Sequence, residues 1–208
     1  LSCMTENDCE DPVIGVSFDG TGYGTDGTIW GGEILLADYE GFERFGSITP
    51  FLQIGGDASA KEGWRIAVSM IYGYTKDRQK AWEIIEKLGL CSEQESKVQF
   101  TMADRKINAV TSTSVGRLFD AVSAILGIRR QSGFEGEAST ALQFAAEAYE
   151  QQRNTLQEQN KLTDRLVNET EERLILNTQM LVEKIVEAKL QGEDSNKLAY
   201  LFHQILAE

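Results

Sequence analysis

The chain has 208 residues, 41% hydrophobic and 25% charged, enough apolar material for one large domain or one and a half small ones. Its net charge of −13 argues against a surface for nucleic acid, because phosphate contacts need an excess of Lys and Arg. No apolar run approaches the ~20 residues that span a bilayer, and residues 1–8 have neither the basic start nor the apolar centre of a signal peptide.

The elements are predicted in chain order as follows. Residues 12–57 read as β-rich. Val13–Phe18 is a short strand ending in Asp19, and glycines 20, 22, 24 and 27 fill the turn after it. Trp30–Tyr39 and Glu43–Phe51 are two further strands, the last closed by Pro50. Tight connections between three strands predict an antiparallel meander.

Residues 58–150 read as a helical block. Asp57 is a candidate N-cap for a helix through Trp64, Ile66, Ala67, Met70 and Ile71. Thr75 or Asp77 starts the next, with Trp82, Ile85 and Leu88 on one face. Ser92 with Glu95 has the spacing of a capping box. Ser114 precedes a helix over 115–128, with Leu118, Val122, Ile125 and Leu126 as its apolar stripe. An Ala-rich helix follows over 136–150.

Residues 151–172 are polar and read as a linker or solvated helix. In 173–208, Leu174-Ile175-Leu176 is a short strand. Asn177 or Thr178 then caps a helix ended by Gly192, and Ser195 starts the last one. Position 1 is not Met, and a meander followed by helices is half of a ribonuclease-H-like pattern. A start inside a longer protein is therefore expected, with the last two parallel strands after residue 208.

Few residues here suit nucleophilic catalysis. His203 is the single histidine, so the chain has no two-His metal site and lacks the usual general base. Cys3, Cys9 and Cys91 show no CxxC spacing. An odd cysteine count with no secretion signal predicts a cytoplasmic setting.

The loop Asp19-Gly20-Thr21-Gly22-Tyr23-Gly24 is the most informative segment. Glycines let backbone N–H groups approach phosphate oxygens, and the Asp places a carboxylate where a phosphate-bound divalent cation could sit. A glycine-rich hairpin turn has a purely structural reading as well, and the loop alone leaves both open.

Residues 13–35, VIGVSFDGTGYGTDGTIWGGEIL, resemble the HypF-type carbamoyltransferase family. Three more segments resemble it in the same order. They are Gly55-Gly56-Asp57 with Lys61, Trp64 and Arg65, then Thr111 to Val122 (TSTSVGRLFDAV), then Phe134-Glu135-Gly136-Glu137-Ala138.

The resemblance implies one lobe of an actin-like ATPase fold, the carbamoyltransferase (Kae1-like) region. It implies a parent enzyme that makes carbamoyl-adenylate from carbamoyl phosphate and ATP. That enzyme passes the carbamoyl group to the C-terminal cysteine of a HypE-like acceptor, for the cyanide ligands of nickel–iron hydrogenases. Asp19 is then a metal ligand, for Mg or Fe. Gly20, Thr21 and Gly22 face the phosphate, Asp120 the ribose, and Gly133 the nucleoside. Lys61 and Arg117 have the charge to meet phosphate or carbamoyl oxygens.

The family's paired metal histidines would fall before Leu1, and its late nucleotide-binding segment is not in this sequence. The chain alone is expected to be inactive, and to pair with a second copy through an exposed sheet edge. Two other readings remain: a small-molecule O-carbamoyltransferase of the same superfamily, and a non-catalytic scaffold that kept the nucleotide fold.

Overall fold

The computed structural model describes residues 1–153, 167–169 and 173–207. In chain order its elements are α1 (Ser2–Glu6), β1 (Val13–Tyr23), β2 (Ile29–Ala37), β3 (Phe42–Ile48), β4 (Phe51–Ile54), α2 (Ala58–Lys61), α3 (Gly63–Thr75), α4 (Arg78–Leu88) and α5 (Glu93–Arg105). Next come β5 (Ala109–Ser112), α6 (Val115–Ile125), α7 (Glu137–Arg153), β6 (Val167–Glu169), β7 (Leu174–Leu176), α8 (Thr178–Leu190) and α9 (Ser195–Ala207).

The fold is α/β with a mixed sheet. Its strands run β4-β5-β2-β3-β7-β6, with β1 also paired to β2. β1 to β2 and β2 to β3 are antiparallel, as the tight connections predict. The sheet as a whole is not an antiparallel meander, which corrects that expectation. β2 pairs in parallel with β5, and β3 with β7, so parallel pairing occurs within this chain and not only beyond residue 208.

The expected third strand divides at Pro50 into β3 and β4. Proline has no N–H for a ladder, so the break falls there. β5 interrupts the expected helical block. At four residues, with Val110 and Thr111 its β-branched members, it is too short for a periodicity to register. The predicted polar linker falls largely on 154–166 and 170–172, outside the described residues.

The helix boundaries follow local chemistry. Asp77 accepts from the Gln79 and Lys80 N–H groups. Ser92 and Glu95 form the capping box. Asn177 accepts from the Met180 N–H. The expected single helix from Asp57 is instead two, α2 and α3, broken at Glu62 (φ −108, ψ 77). A Cβ on Gly63 would lie 2.6 Å from the Asp120 backbone oxygen. Glycine here lets α3 pack tightly on α6. Around that junction lie the fully buried Ile66, Ala67, Ile71, Leu118, Ala121 and Val122. Phe202 of α9 and Leu181 and Ile185 of α8 join the same core. No helix among the described residues is long and apolar enough to cross a membrane.

Candidate functional site

Asp19, Gly20 and Thr21 do not form the hairpin turn. β1 runs on to Tyr23, and the register with β2 shifts between Phe18 (opposite Gly32) and Gly22 (opposite Trp30). Residues 19–21 are therefore a bulge. The turn itself comes later, where the Gly24 N–H donates to Thr28 O (3.0 Å) and Asp26 accepts from the Thr28 N–H. A bulge re-aims side chains, and this one lies over the start of α6. A Cβ on Gly116 would fall 2.8 Å from Gly20 Cα, so only glycine at 116 permits that approach.

Two hydrogen-bond groups fix the bulge. The Ser114 hydroxyl meets the Gly20 oxygen at 2.7 Å and the Asp19 oxygen at 3.2 Å, and accepts from the Arg117 N–H at 3.1 Å. Behind it, the buried Glu33 carboxylate accepts from the Gly31 and Gly32 N–H groups, Arg44 Nε (2.6 Å) and the Thr113 hydroxyl. Arg44 also reaches Asp26 and lies over the Trp30 ring, 4.3 Å from its centre.

A cavity of about 340 Å³ opens beside the bulge, lined among others by Asp19, Gly20, Thr21, Lys61, Arg117, Asp120 and Gly133. Of the residues singled out from sequence, only Gly22 is outside this lining; it has rejoined the ladder opposite Trp30. Lys61 ends α2, and its carbonyl accepts from the Ser132 N–H at 2.7 Å, tying the 128–136 loop to the cavity wall. The Gly133 N–H donates to Glu137 Oε2 at 2.6 Å. The Gly20 N–H is taken up by Asp19 Oδ1 at 2.6 Å, so it does not face the cavity as a spare donor.

Arg117 and Asp120 stand one turn apart on α6, with Nη2 and Oδ2 3.0 Å apart and both side chains almost buried. They form a charge pair without hydrogen-bond alignment, because Arg117 Nε and Asp120 Oδ2 are both left without a hydrogen-bond partner. Burial pushes the Asp120 carboxyl up to about 6, with Arg117 holding it down in part. Both residues line the cavity, so a polar ligand entering it would meet this pair.

The other candidates resolve simply. Among the described residues no three or more His, Cys, Asp or Glu side chains group to hold a metal ion. The one exposed carboxylate of Asp19 does not make a metal site by itself. Burial pushes the Cys91 thiol up to about 11, away from thiolate chemistry. His203 bonds to the Ala199 carbonyl at 2.7 Å and packs edge-on to Phe119. Trp64 is core, 2% exposed. Sequence reasoning did not nominate Ser132, which also lines the cavity, nor the bonds from Ser114; it quoted Phe134, another lining residue, only within a family-like segment and gave it no role. Ser114 was legible as a helix cap, but its partners 94 and 95 residues away were not.

Comparison with known proteins covers the whole site. Residues 15–208 match the family model described as carbamoyltransferase, Kae1-like domain, second subdomain. The probable carbamoyltransferase HypF of Methanocaldococcus jannaschii is 33% identical over 207 residues, 100% of this chain and 25% of that protein. The carbamoyltransferase HypF of Rhodobacter capsulatus is 43% identical over 136 residues, 64% of this chain and 17% of that protein. The fold superposes on a full-length HypF solved in a phosphate- and nucleotide-bound form, with a TM-score of 0.83 and 29% identity, over 99% of this chain and 25% of that one. The T. kodakarensis HypF crystal structure gives 0.80 and 27%, over 99% and 26%. The chain thus spans about a quarter of the length of several of the relatives it matches.

Proposed function

The chain belongs to the HypF carbamoyltransferase family, and from that premise we propose that the cavity beside the bulge is part of a nucleotide site used to make carbamoyl-adenylate. The observation that carries this reading is the convergence of Gly20, Thr21, Lys61, Arg117, Asp120 and Gly133, from four separated segments, on one cavity. A relative of the same fold was solved with phosphate and nucleotide bound.

The proposed chemistry places the ATP phosphates at the Gly20–Arg117 end and the ribose beside Asp120. Water cleaves carbamoyl phosphate to carbamate and inorganic phosphate, and a carbamate oxygen attacks the α-phosphorus of ATP. The bond to the β-phosphate breaks, and pyrophosphate leaves. Negative charge builds on the α-phosphoryl oxygens, where the Arg117 guanidinium and the Lys61 ammonium would stabilise it. No protein nucleophile is needed. The Asp120 carboxylate, which lines the cavity, would accept from a ribose hydroxyl. A divalent ion, Mg or Fe, would neutralise phosphate charge, but Asp19 alone does not make its site, and no step here is routed through it.

The parent activity follows as part of the same proposal. The carbamoyl group passes to the C-terminal cysteine of a HypE-like acceptor, in nickel–iron hydrogenase maturation, on a lobe of the actin-like ATPase type. We propose further that this chain, about a quarter of its relatives' length, binds without turning over. The test is calorimetry of the chain with magnesium and ATP. Binding that Asp19→Ala and Asp120→Ala each weaken supports the reading. No binding, or binding indifferent to both, removes it. Carbamoyl-phosphate-dependent ATP–pyrophosphate exchange by the purified chain would overturn the expectation of no turnover.

A further inference from the structure

One wall of the cavity is not accounted for by charge. Phe134 lines it and is 67% exposed, so it sits at the rim with its ring open to solvent. Large aromatic side chains are costly to leave in water, and this one does not project from a loose loop. The backbone around it is clamped on both sides. Before it, Ser132 N–H is held by the Lys61 carbonyl at 2.7 Å, and Arg130 O accepts from Trp64 N–H at 3.3 Å. The Gly133 N–H is held by Glu137, which also pairs with Arg129 at 3.3 Å.

The cavity is lined by groups of different kinds. Arg117 Nη2 lies 3.8 Å from where a Gly20 Cβ would be, so the cationic end is at the bulge. Asp120 follows one helical turn along α6, and Gly63 brings α3 against its backbone. Lys61, just before Gly63, carries the loop that presents Phe134. The lining thus combines cations, a buried carboxyl and an exposed aromatic ring, the kinds of surface that the phosphate, sugar and base of a nucleotide meet.

We propose that Phe134 is the stacking platform for the nucleobase. The proposal rests on the nucleotide-site reading and adds to it which residue receives the base. Stacking on a ring uses the π-face that every base has, so it confers affinity with little choice among bases. ATP and GTP are then held alike at this contact.

The experiment titrates the chain with ATP and, separately, with inorganic tripolyphosphate, which has the charge and no base. Phe134→Ala is expected to weaken ATP about tenfold and leave tripolyphosphate unchanged. Phe134→Trp is expected to restore ATP affinity, with an added indole emission that ATP quenches and tripolyphosphate does not. Because Phe134 is exposed, both variants keep the core intact. Equal ATP affinity in Phe134→Ala and the unaltered chain overturns the proposal, as does an equal loss for both ligands. If the unaltered chain binds the two ligands equally, the base contributes nothing and Phe134 loses its role while the anion site stands. If it binds neither, the nucleotide-site reading fails and takes this proposal with it.

Discussion

The Ser114 hydroxyl lies 2.7 Å from the Gly20 carbonyl oxygen, so one side chain both starts α6 and holds the bulge of β1 against it. Capping and site geometry are thereby joined in a single group. Ser114→Ala removes the cap and the tie together. It should cost about 1 kcal/mol of stability in urea unfolding, the usual value of a lost Ser cap. ATP affinity should fall as well, while Ser114→Thr keeps both. A variant that loses stability but not affinity would show that the tie does not position the site.

Gly116 and Gly73 make opposite predictions for the same substitution. A Cβ at 116 meets the Gly20 backbone at 2.8 Å, which has nowhere to move without displacing the bulge. Gly116→Ala should destabilise by about 1–3 kcal/mol, as overpacking does. Nothing lies within 4 Å of a Cβ at Gly73, inside α3, and its φ is not positive. Gly73→Ala should stabilise by about 0.5–1 kcal/mol through helix propensity. Denaturant midpoints of the two variants check both signs.

How much of this was legible in the sequence differs from element to element. The Ser92–Glu95 cap could be read directly, because cap and N–H are within three residues of each other, whereas the sequence left Thr75 or Asp77 and Asn177 or Thr178 open, and the Asp57 side chain makes no cap bond. The antiparallel β1–β2–β3 pairing could be read too, from the tight, glycine-rich connections. β5 could not, because a four-residue strand takes its identity from β4 and β2 and not from its own pattern. The glycine loop was misplaced for a related reason. Composition shows that residues 20, 22 and 24 are glycine. It does not show that Gly20 packs against Gly116, where only glycine at 116 permits the approach, or that the real turn is at 24–28. Asp120 was found by motif, but its burial depends on α3 crossing at Gly63, which no local pattern encodes.

Asp120 predicts a pH dependence. Its carboxyl titrates near 6, so it is neutral below that pH and ionised above it. Ionised, it partners Arg117 and opposes an incoming anion. Neutral, it leaves Arg117 to the ligand. Sulfate, which does not titrate in this range, should bind more tightly as pH falls through about 6. Asp120→Asn should bind sulfate more tightly at pH ~8 and lose the pH dependence. The same shift bears on stability. Between pH ~4 and the folded value the folded chain holds a proton that the unfolded chain has released. This group's contribution is therefore full below that window and is lost as pH rises through it. Calorimetric titrations with sulfate at several pH values decide the matter, and a flat profile in the unaltered chain would count against the assignment.

Glu33 and Arg44 should behave as one unit. Both are nearly buried, and removing one leaves the other charged in a desolvated place. Glu33→Ala should cost about 3–5 kcal/mol. Arg44→Ala on that background should cost less than it does alone, giving a non-additive double-mutant cycle. Urea unfolding of the four chains measures the coupling, and simple additivity would mean the pair is spectator to the hairpin.

β1 has β2 as its one strand neighbour among the described residues, and it bares Ile14, Val16 and Phe18 at 70%, 63% and 45% exposure. Alternate positions share a face, and Leu36, opposite Ile14, adds to the same apolar surface at 38%. An unpaired edge beside exposed apolar side chains is a template for another strand. The chain should therefore self-associate through β1. Val16→Lys, which puts a charge in the centre of that row, should shift it to monomer without loss of helical signal. Sedimentation velocity over a concentration range reads both. A clean monomer of the unaltered chain would show that side-chain cover, and not a partner strand, is enough to keep this edge in water.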